Sequence, residues 1–151
     1  DPQILIADEP TTALDVTVQA QILKILNNLR QERSLSIIFI SHDFGVISQI
    51  CNRIIVMYAG EIIEQGDASE LLKNPRHPYT ASLIKCVPQL GDSKSNLHSI
   101  KGSPPLLDNL PNGCKFADRC NLKKEECNKN NIRLKSLDRR MVRCLYPITN
   151  Q

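Results

Sequence analysis

The feature of the sequence that most constrains the fold is a pair of short, uninterrupted apolar runs separated by one long segment of helical periodicity. The runs are residues 4–7 (ILIA) and 37–40 (IIFI), and between them apolar residues recur on one helical face from about residue 16 to residue 33. Continuous apolar runs are typical of strands covered on both faces in a parallel sheet. The order strand, helix, strand therefore predicts a wound α/β layer.

Capping residues, turn residues and apolar periodicity predict further elements. Asp15 stands just ahead of the long helix, where its carboxylate can accept the free N–H groups of the first turn. Gly60 separates two apolar stretches and predicts a hairpin turn. Three short helices are predicted, and the chain from 88 to 111 is expected to be a loop because glycine and proline interrupt it. The helices cover residues 44–50, 68–73 and 79–86.

Composition places the chain among ordinary globular proteins. It has 41% hydrophobic and 23% charged residues, which is typical of neither disordered nor fibrous sequences. No apolar run approaches the roughly 20 residues of a membrane-spanning helix. The chain has no Trp and only 4% aromatic residues, so a base-stacking surface for single-stranded nucleic acid is not expected.

Positive charge is concentrated at the end of the chain. Residues 112–151 contain ten Lys and Arg but four Asp and Glu, whereas residues 1–111 contain nine and twelve. A solvated basic surface is the first interpretation of this tail, and an acidic or phosphate-rich partner is the alternative.

Polar residues follow both apolar runs directly. Asp8 and Glu9 end the first run, and Ser41, His42 and Asp43 end the second. Ligands of wound sheets bind beyond the carboxyl ends of the strands. There an Asp can hold Mg²⁺ through water, and a neighbouring Glu can orient or deprotonate a water aimed at a phosphate. The alternative is that the two carboxylates only end a strand.

Two stretches resemble motifs of the ATPase subunits of ABC transporters. Residues 8–15 (DEPTTALD) resemble the Walker B box and D-loop, and residues 37–43 (IIFISHD) resemble the switch-histidine loop at the expected distance. The resemblance implies the C-terminal part of a P-loop NTPase core with parallel strands, followed by a small loop-rich cysteine domain. It implies that Asp8 binds Mg²⁺ through water and that Glu9 is the general base or water-positioning group.

The same resemblance implies two further roles. His42 would contact the γ-phosphate of ATP and the catalytic Glu9. Asp15 would face a second ATPase subunit across a dimer, in addition to capping its helix. The sequence contains no phosphate-binding loop of the form GxxxxGK[ST], no glutamine loop and no LSGGQ signature. We therefore expect the 151-residue chain by itself neither to bind ATP tightly nor to hydrolyse it.

Four cysteines fall in the last 38 residues, at Cys114, Cys120, Cys127 and Cys144. Disulfides belong to oxidising compartments, and zinc sites usually take two ligands from a tighter C-x2-4-C spacing. Four thiolates with longer gaps suit an iron–sulfur cluster, whose negative charge the basic tail could partly neutralise. Arg119 and Arg143 each adjoin one of these cysteines, whereas Cys51 and Cys86 lie in apolar surroundings and are expected to be buried thiols.

Three segments of the second half are similar to the C-terminal extension of ATPase subunits of oligopeptide and dipeptide importers. They are residues 77–79 (HPY), 102–105 (GSPP) and 113–120 (GCKFADRC). This resemblance implies a nucleotide-binding part at 1–67 and an extension at 68–151, with its cysteine-rich part at 112–147. It also implies that the four cysteines hold a four-iron four-sulfur cluster, with Zn²⁺ as the alternative. His77 is otherwise interpreted only as part of a helix start.

Together the resemblances imply a subunit that binds and hydrolyses ATP to energise import of oligopeptides, dipeptides or related solutes such as nickel. It would pair with an identical or different ATPase subunit and with membrane permease subunits, at the cytoplasmic face of the membrane, without a nucleic-acid partner. The alternative is a non-catalytic module with dimer-contact and iron–sulfur regulatory roles, or the product of a truncated gene. The transported solute would be selected by the permease and a binding protein.

Overall fold

The computed structural model describes residues 2–87, 99–129 and 131–149. They form two compact units, Asp1–Cys51 (unit 1) and Asn52–Gln151 (unit 2).

Unit 1 alternates strands and helices in the predicted order. Its elements are β1 (Ile4–Asp8), α1 (Val16–Arg33), β2 (Ser36–Ile40) and α2 (Phe44–Ile50). The two strands are parallel and in register, with Ile4 opposite Ser36 and Asp8 opposite Ile40. The parallel α/β arrangement and the bounds of the long helix therefore confirm the sequence prediction.

Side-chain caps define where both helices of unit 1 begin. The Asp15 carboxylate accepts the N–H groups of Thr17 and Val18, each at 2.9 Å. Asp43 caps α2 in the same way, accepting from Gly45 at 2.8 Å and from Val46 at 3.3 Å. Each carboxylate satisfies N–H groups that have no partner within the helix.

One face of the β1–β2 sheet is apolar and open. Ile4, Ile6, Ile38 and Ile40 share that face and are 46–64% exposed, whereas Ala7 on the other face is buried. The prediction that the first strand is covered on both faces is therefore not met by the described residues. None of the residues on this open face is among the buried apolar residues of unit 1, which are Ala7, Leu23, Leu26, Leu35, Phe44 and Val46.

Unit 2 is built on a four-stranded antiparallel sheet in the order β3-β4-β6-β5. The hairpin predicted at Gly60 is confirmed, since Ala59 (φ 46°) and Gly60 (φ 79°) form the two-residue turn between β3 and β4. The elements of unit 2 are β3 (Arg53–Tyr58), β4 (Glu61–Asp67), α3 (Ala68–Lys73), α4 (Pro78–Lys85), β5 (Lys135–Leu137) and β6 (Arg140–Val142), with 3₁₀ turns at Ala117–Arg119 and Glu125–Asn128.

The cysteine-rich tail joins the β3–β4 hairpin through β6, where Glu64 pairs with Val142 and Gln65 with Met141. This pairing explains why the units divide after Cys51. The nucleotide-binding part at 1–67 and the extension at 68–151 stay a prediction. Strand β4 ends the ATPase-like part in sequence but belongs to the same sheet as the tail. The sequence did not indicate β5 or β6, because strands of three residues show no useful periodicity.

The buried carboxylate of Glu64 contacts two other segments of unit 2. Glu64 has no exposed surface and accepts the backbone N–H groups of Arg76 and His77, each at 2.8 Å. The Arg140 guanidinium lies 3.7 Å from Glu64 and donates to the carbonyl of Asn74 at 2.6 Å. These contacts connect β4 and β6 to the chain just before α4.

The remaining sequence predictions concern local elements. The helices predicted at 68–73 and 79–86 are confirmed as α3 and α4. Residues 88–98 of the predicted loop lie outside the described residues, and residues 99–111 form no helix or strand. Within the described parts of the chain, no helix combines the length and apolarity needed to cross a membrane.

Candidate functional sites

The carboxyl ends of β1 and β2 bring three predicted site residues to one edge of the sheet. Asp8 ends β1, Glu9 follows it, and His42 comes two residues after the end of β2. The N–H of Glu9 donates to the carbonyl of Ile40 at 2.9 Å, which extends the strand pairing by one residue. His42 Nδ1 then lies 3.0 Å from Glu9 Oε1.

Glu9 is held on both carboxylate oxygens. His42 engages Oε1, and the Thr12 hydroxyl donates to Oε2 at 2.7 Å. The hydrogen bond from Thr12 and, next, that from His42 hold the pKa of Glu9 below its usual value, so the group is a carboxylate at neutral pH. The backbone of Glu9 is left-handed (φ 44°), a conformation uncommon outside glycine.

Thr12 is the partner that sequence reasoning missed. Its N–H donates to the Glu9 carbonyl at 3.1 Å, so a turn over Pro10 and Thr11 returns its hydroxyl to the carboxylate. The sequence did contain a signal for this contact, because Thr12 follows Glu9 by three positions with Pro10 between them, a pattern typical of a turn.

Asp8 and Asp15 remain accessible. Asp8 shares the open sheet face with Ile6 and Ile40 and is exposed, and its carboxylate has no hydrogen-bond partner among the described residues. An exposed carboxylate oxygen is the kind of ligand that Mg²⁺ takes, directly or through water. Asp15 is exposed too, although one of its oxygens caps α1.

The four tail cysteines line one pocket of unit 2 together with His77. The N–H of Cys114 donates to the carbonyl of Cys127 at 2.7 Å, which joins two of the loops that carry them. Gly113 makes this approach possible, because a Cβ there would lie 2.1 Å from the Cys127 carbonyl oxygen. All four cysteines that the sequence selected thus line the same pocket.

The thiols of the pocket are weakly acidic in the absence of a metal. Burial raises the pKa of Cys114 and Cys120 and raises that of Cys144 to about 11. The neighbouring pocket thiols contribute in the same direction, so all three are protonated at neutral pH. Thiolate ligation would displace these protons.

The cysteine set fits an iron–sulfur cluster in donor type and in number. All six cysteines are free thiols, and Cys127 is the most buried of the four in the pocket. Among the described residues, no three His, Cys, Asp or Glu side chains lie close enough together to bind a single metal ion. Cys51 and Cys86, expected to be buried, are half-buried.

Arg119 and Arg143 hold loops in place around the pocket. Arg119 donates to the carbonyls of Ile100 and Lys101 and to the Tyr58 hydroxyl. Arg143 donates to the carbonyls of residues 62 and 132, each at 2.8 Å. Their charges lie in the sequence beside Cys120 and Cys144 as expected, but the observed contacts of the guanidinium groups are mainly with backbone.

His77 both caps α4 and lines the cysteine pocket. Its Nδ1 accepts the N–H of Tyr79 at 3.1 Å, and Pro78 is the first residue of the helix, which confirms the interpretation of HPY as a helix start. Burial lowers the pKa of His77 to about 4, so the ring is neutral at pH 7. The sequence did not indicate that His77 lines the pocket, because each of the four pocket cysteines follows it by 37 positions or more.

The chain is similar to known proteins along most of its length. Residues 63–127 match the family model of the oligopeptide/dipeptide transporter C-terminal region. A putative peptide import ATP-binding protein of Brucella ovis is 48% identical over 133 residues, covering 84% of this chain and 39% of that protein. The oligopeptide transport ATP-binding protein OppD of Haemophilus influenzae is 49% identical over 126 residues, covering 83% and 39%.

A solved structure, cbiO1 from Clostridium perfringens, part of the ABC transporter complex cbiONQ, aligns with a TM-score of 0.45 and 35% identity. The alignment covers 48% of this chain and 29% of that one.

The relatives are considerably longer than this chain, which spans 39% of the length of the two curated proteins named above. The family match falls on unit 2, whereas the two stretches that resemble ABC ATPase motifs lie in unit 1. The chain is thus similar to ATP-binding proteins of peptide importers, and the family model that it matches describes the C-terminal region of oligopeptide/dipeptide transporters.

Proposed function

We propose that this chain supplies the catalytic strand ends of an ATP-hydrolysing subunit that energises peptide import through a membrane permease. The observation that carries the proposal is the Glu9 carboxylate, fixed between Thr12 and His42 at the ends of two parallel strands and adjacent to the open Asp8. In phosphoryl transfer to water, most of the catalysis comes from positioning and electrostatics, which such a rigid edge can provide.

Glu9 is suited to act on the attacking water. Its pKa lies below the usual value, so it is charged at neutral pH and can accept a hydrogen bond or a proton from water. Its side chain is 44% exposed, which leaves an approach for water. Thr12 and His42 restrict its orientation and thereby reduce the entropy that must be lost in reaching a reactive geometry.

His42 would connect Glu9 to the γ-phosphate. Because a carboxylate can only accept, Nδ1 of His42 carries the proton in its contact with Glu9. Nε2 lies at the opposite edge of the ring, and the side chain is 74% exposed. The ring can thus reach a phosphate oxygen while it remains bound to Glu9.

Asp8 would hold Mg²⁺ through water, and the bound ion supplies positive charge that neutralises phosphate oxygens. Asp8 suits this role because its carboxylate is exposed and has no protein partner among the described residues. Asp15 would face the second ATPase subunit, identical or different, from the exposed start of α1.

The open apolar face of the β1–β2 sheet would be covered by another part of the same subunit. The phosphate-binding loop and the signature motif, neither of which this sequence contains, would belong to that part. The complete subunit would bind permease subunits at the cytoplasmic face of the membrane. Import of oligopeptides or dipeptides is the activity that the names of the matched family and relatives favour.

The four tail cysteines would hold a four-iron four-sulfur cluster, which supplies a redox centre and a covalent link among their loops when bound. Support comes from their convergence on one pocket. The chain purified without oxygen should be brown, absorb in the visible blue and contain about four irons per chain. A colourless chain with one zinc per molecule would support the zinc alternative instead.

Peptide uptake by cells that depend on the complete subunit tests the proposed function. Glu9→Gln should lower the uptake of a labelled dipeptide by about 100-fold or more, because loss of a general base typically costs at least that factor. Glu32→Gln is the matched control, since Glu32 is exposed on α1 away from the strand ends, and it should leave uptake unchanged.

The same experiment separates the proposal from a non-catalytic module. Uptake at the wild-type rate in Glu9→Gln would contradict catalysis at Glu9. If uptake is also lost when the four cysteines are substituted, the result would favour an iron–sulfur module. For the 151-residue chain alone we expect no Mg-dependent ATP hydrolysis. Measurable hydrolysis that Glu9→Gln abolishes would contradict that expectation.

A further inference from the structure

The buried imidazole of His77 has one nitrogen with a clear partner and one without. Only 1% of the residue is exposed, and three contacts fix its position. The backbone N–H of His77 donates to the Glu64 carboxylate at 2.8 Å, and the ring Nδ1 accepts the backbone N–H of Tyr79 at 3.1 Å. The centroid of the ring lies 6.0 Å from that of Phe116. His77 Nε2 is buried and has no hydrogen-bond partner among the described residues.

The capping contact determines where the ring proton lies. A backbone N–H can only donate, so Nδ1 of His77 must present its lone pair to Tyr79. The proton of the ring is therefore on Nε2, which makes the atom without a partner a hydrogen-bond donor. Buried donors in proteins nearly always have an acceptor, so we expect an acceptor for His77 Nε2–H in its immediate surroundings.

The pocket that His77 lines offers sulfur as the acceptor. Apart from His77 and the four cysteines, its side chains are aliphatic or aromatic, and the one hydroxyl among them, that of Tyr146, is not a partner of Nε2. We propose that His77 Nε2–H donates a hydrogen bond to a sulfur of the cysteine-ligated group in this pocket. This inference rests on the proposed cluster and assigns His77 as the residue that positions and tunes it.

A hydrogen bond to sulfur has a measurable electrochemical consequence. A donor stabilises the more negative, reduced state of a cluster more than its oxidised state, and hydrogen bonds to sulfur are among the factors that set cluster potentials. Loss of the Nε2 donor should therefore shift the reduction potential to more negative values. A residue that only caps a helix would affect stability without this shift.

Two substitutions separate the donor from the cap. In His77→Asn the side-chain oxygen can replace Nδ1 as the cap, but the side chain is too short to replace Nε2. In His77→Gln the amide nitrogen can occupy the place of Nε2, whereas the cap is lost. We expect His77→Asn to shift the potential to more negative values and His77→Gln to restore most of it, although His77→Gln is the less stable protein.

Thr80→Val is the matched control. Thr80 is also fully buried, and its hydroxyl has no partner among the described residues, but it does not line the cysteine pocket. Its substitution should leave the potential unchanged. A potential that shifts equally in Thr80→Val and His77→Asn would overturn the inference, because general disturbance of α4 would then explain both.

A second measurement detects the contact in the wild-type chain itself, and His77→Asn serves only to assign the signal. The 151-residue chain is labelled with ¹⁵N-histidine, reconstituted with iron and sulfide without oxygen, and reduced. Pulsed electron paramagnetic resonance should detect one coupled ring nitrogen, and with three histidines in the sequence the signal is assigned by its loss in His77→Asn.

The outcomes distinguish this inference from the proposed cluster. A wild-type chain that takes up no iron overturns both. A chain that assembles the cluster but has no coupled nitrogen, with an unchanged potential in His77→Asn, overturns the role of His77 alone. A coupled nitrogen together with the more negative potential supports it.

Discussion

The two compact units differ in how much of their own apolar surface they bury. In unit 1, Ile4 and Ile6 on the open sheet face are 57% and 64% exposed. In unit 2, Ile54 and Val56 on the inner face of β3 are 4% and 5% exposed, although Ile55 and Met57 on its outer face are open. The units therefore differ on the inner faces of their sheets, because Leu5, Ile37 and Phe39 of unit 1 are only half-buried whereas Ile54 and Val56 are buried.

The units also differ in how they build their sites. The Glu9 site depends on a tight turn and on two neighbouring strand ends, so its geometry follows from residues close in sequence or in register. The cysteine pocket depends on contacts between distant segments, such as Glu64 with His77 and Arg140. The comparison teaches that short motifs can fix the side chains at a strand edge, whereas a pocket lined by distant segments needs a completed core.

The largest expected effect is the loss of the buried charge that organises unit 2. Glu64→Ala removes the acceptor of two backbone N–H groups and the buried carboxylate that faces Arg140, which should lower the free energy of unfolding of unit 2 by about 3–5 kcal/mol. Near-ultraviolet circular dichroism of tyrosine during urea unfolding reports this unit selectively, because all three tyrosines lie in it.

Glu125→Ala is the control for that substitution. The Glu125 side chain is 80% exposed in its pair with Lys129, and its loss should change the free energy of unfolding by less than about 0.5 kcal/mol. Equal effects of the two substitutions would contradict the view that unit 2 is organised around its buried carboxylate.

A smaller effect is expected where two cysteine loops meet. Gly113→Ala places a Cβ against the Cys127 carbonyl, so the loops must separate at a cost of about 1–3 kcal/mol. Iron content after anaerobic purification should fall with it. Asn112→Ala, at the exposed neighbouring position, should retain both iron and stability. Full iron content in Gly113→Ala would show that the close approach is not needed for the pocket.

In unit 1, the comparison predicts modest and local effects. Asp15→Ala removes the cap of α1 and should destabilise that helix by about 1 kcal/mol, measured by faster hydrogen exchange of its amides. Asp15→Asn retains a capping oxygen and should exchange nearly as slowly as the wild type. Equally fast exchange in Asp15→Asn would indicate that charge, rather than the hydrogen bonds, stabilises the helix.

The smallest effect concerns the pH dependence of Glu9. Its hydrogen bonds lower the folded-state pKa, so their contribution to stability is present above the ordinary pKa and is lost as the pH falls through the lowered value. Thr12→Val should move the pKa of Glu9 back toward its ordinary value in a carboxyl ¹³C titration. Thr17→Val on α1 is the control, and a shift of equal size there would contradict the assignment.

The sequence was most informative where structure is local. The helical period of α1, its cap at Asp15 and the apolar runs of β1 and β2 were sufficient to predict the elements of unit 1 and to place Glu9 and His42 at one edge of its sheet. The contact between these two side chains was implied only by the resemblance to ABC ATPases. The hairpin at Gly60 followed from a single glycine with positive φ. In each case the determining contacts lie within one turn or between neighbouring strand ends.

The rest depends on long-range contacts that leave no periodic signal. Strands β5 and β6 have three residues each, and their turn at Asp138 and Arg139 lacks the glycine that usually marks such hairpins. The pairing of Glu64 with Arg140 and the place of His77 in the pocket likewise arise only when the core assembles. The four cysteines were nevertheless selected from the sequence, because they are concentrated in the last 38 residues and lie in a segment that resembles the importer extension.

Hydrolysis of ATP by the purified complete subunit tests the central claim most directly. The comparison is between the wild type, Glu9→Gln and Glu32→Gln, with Mg-ATP binding measured in parallel. The proposed role of Glu9 predicts that Glu9→Gln binds Mg-ATP as tightly as the wild type but hydrolyses it about 100-fold or more slowly, while Glu32→Gln does both normally. Hydrolysis by Glu9→Gln at the wild-type rate would contradict it.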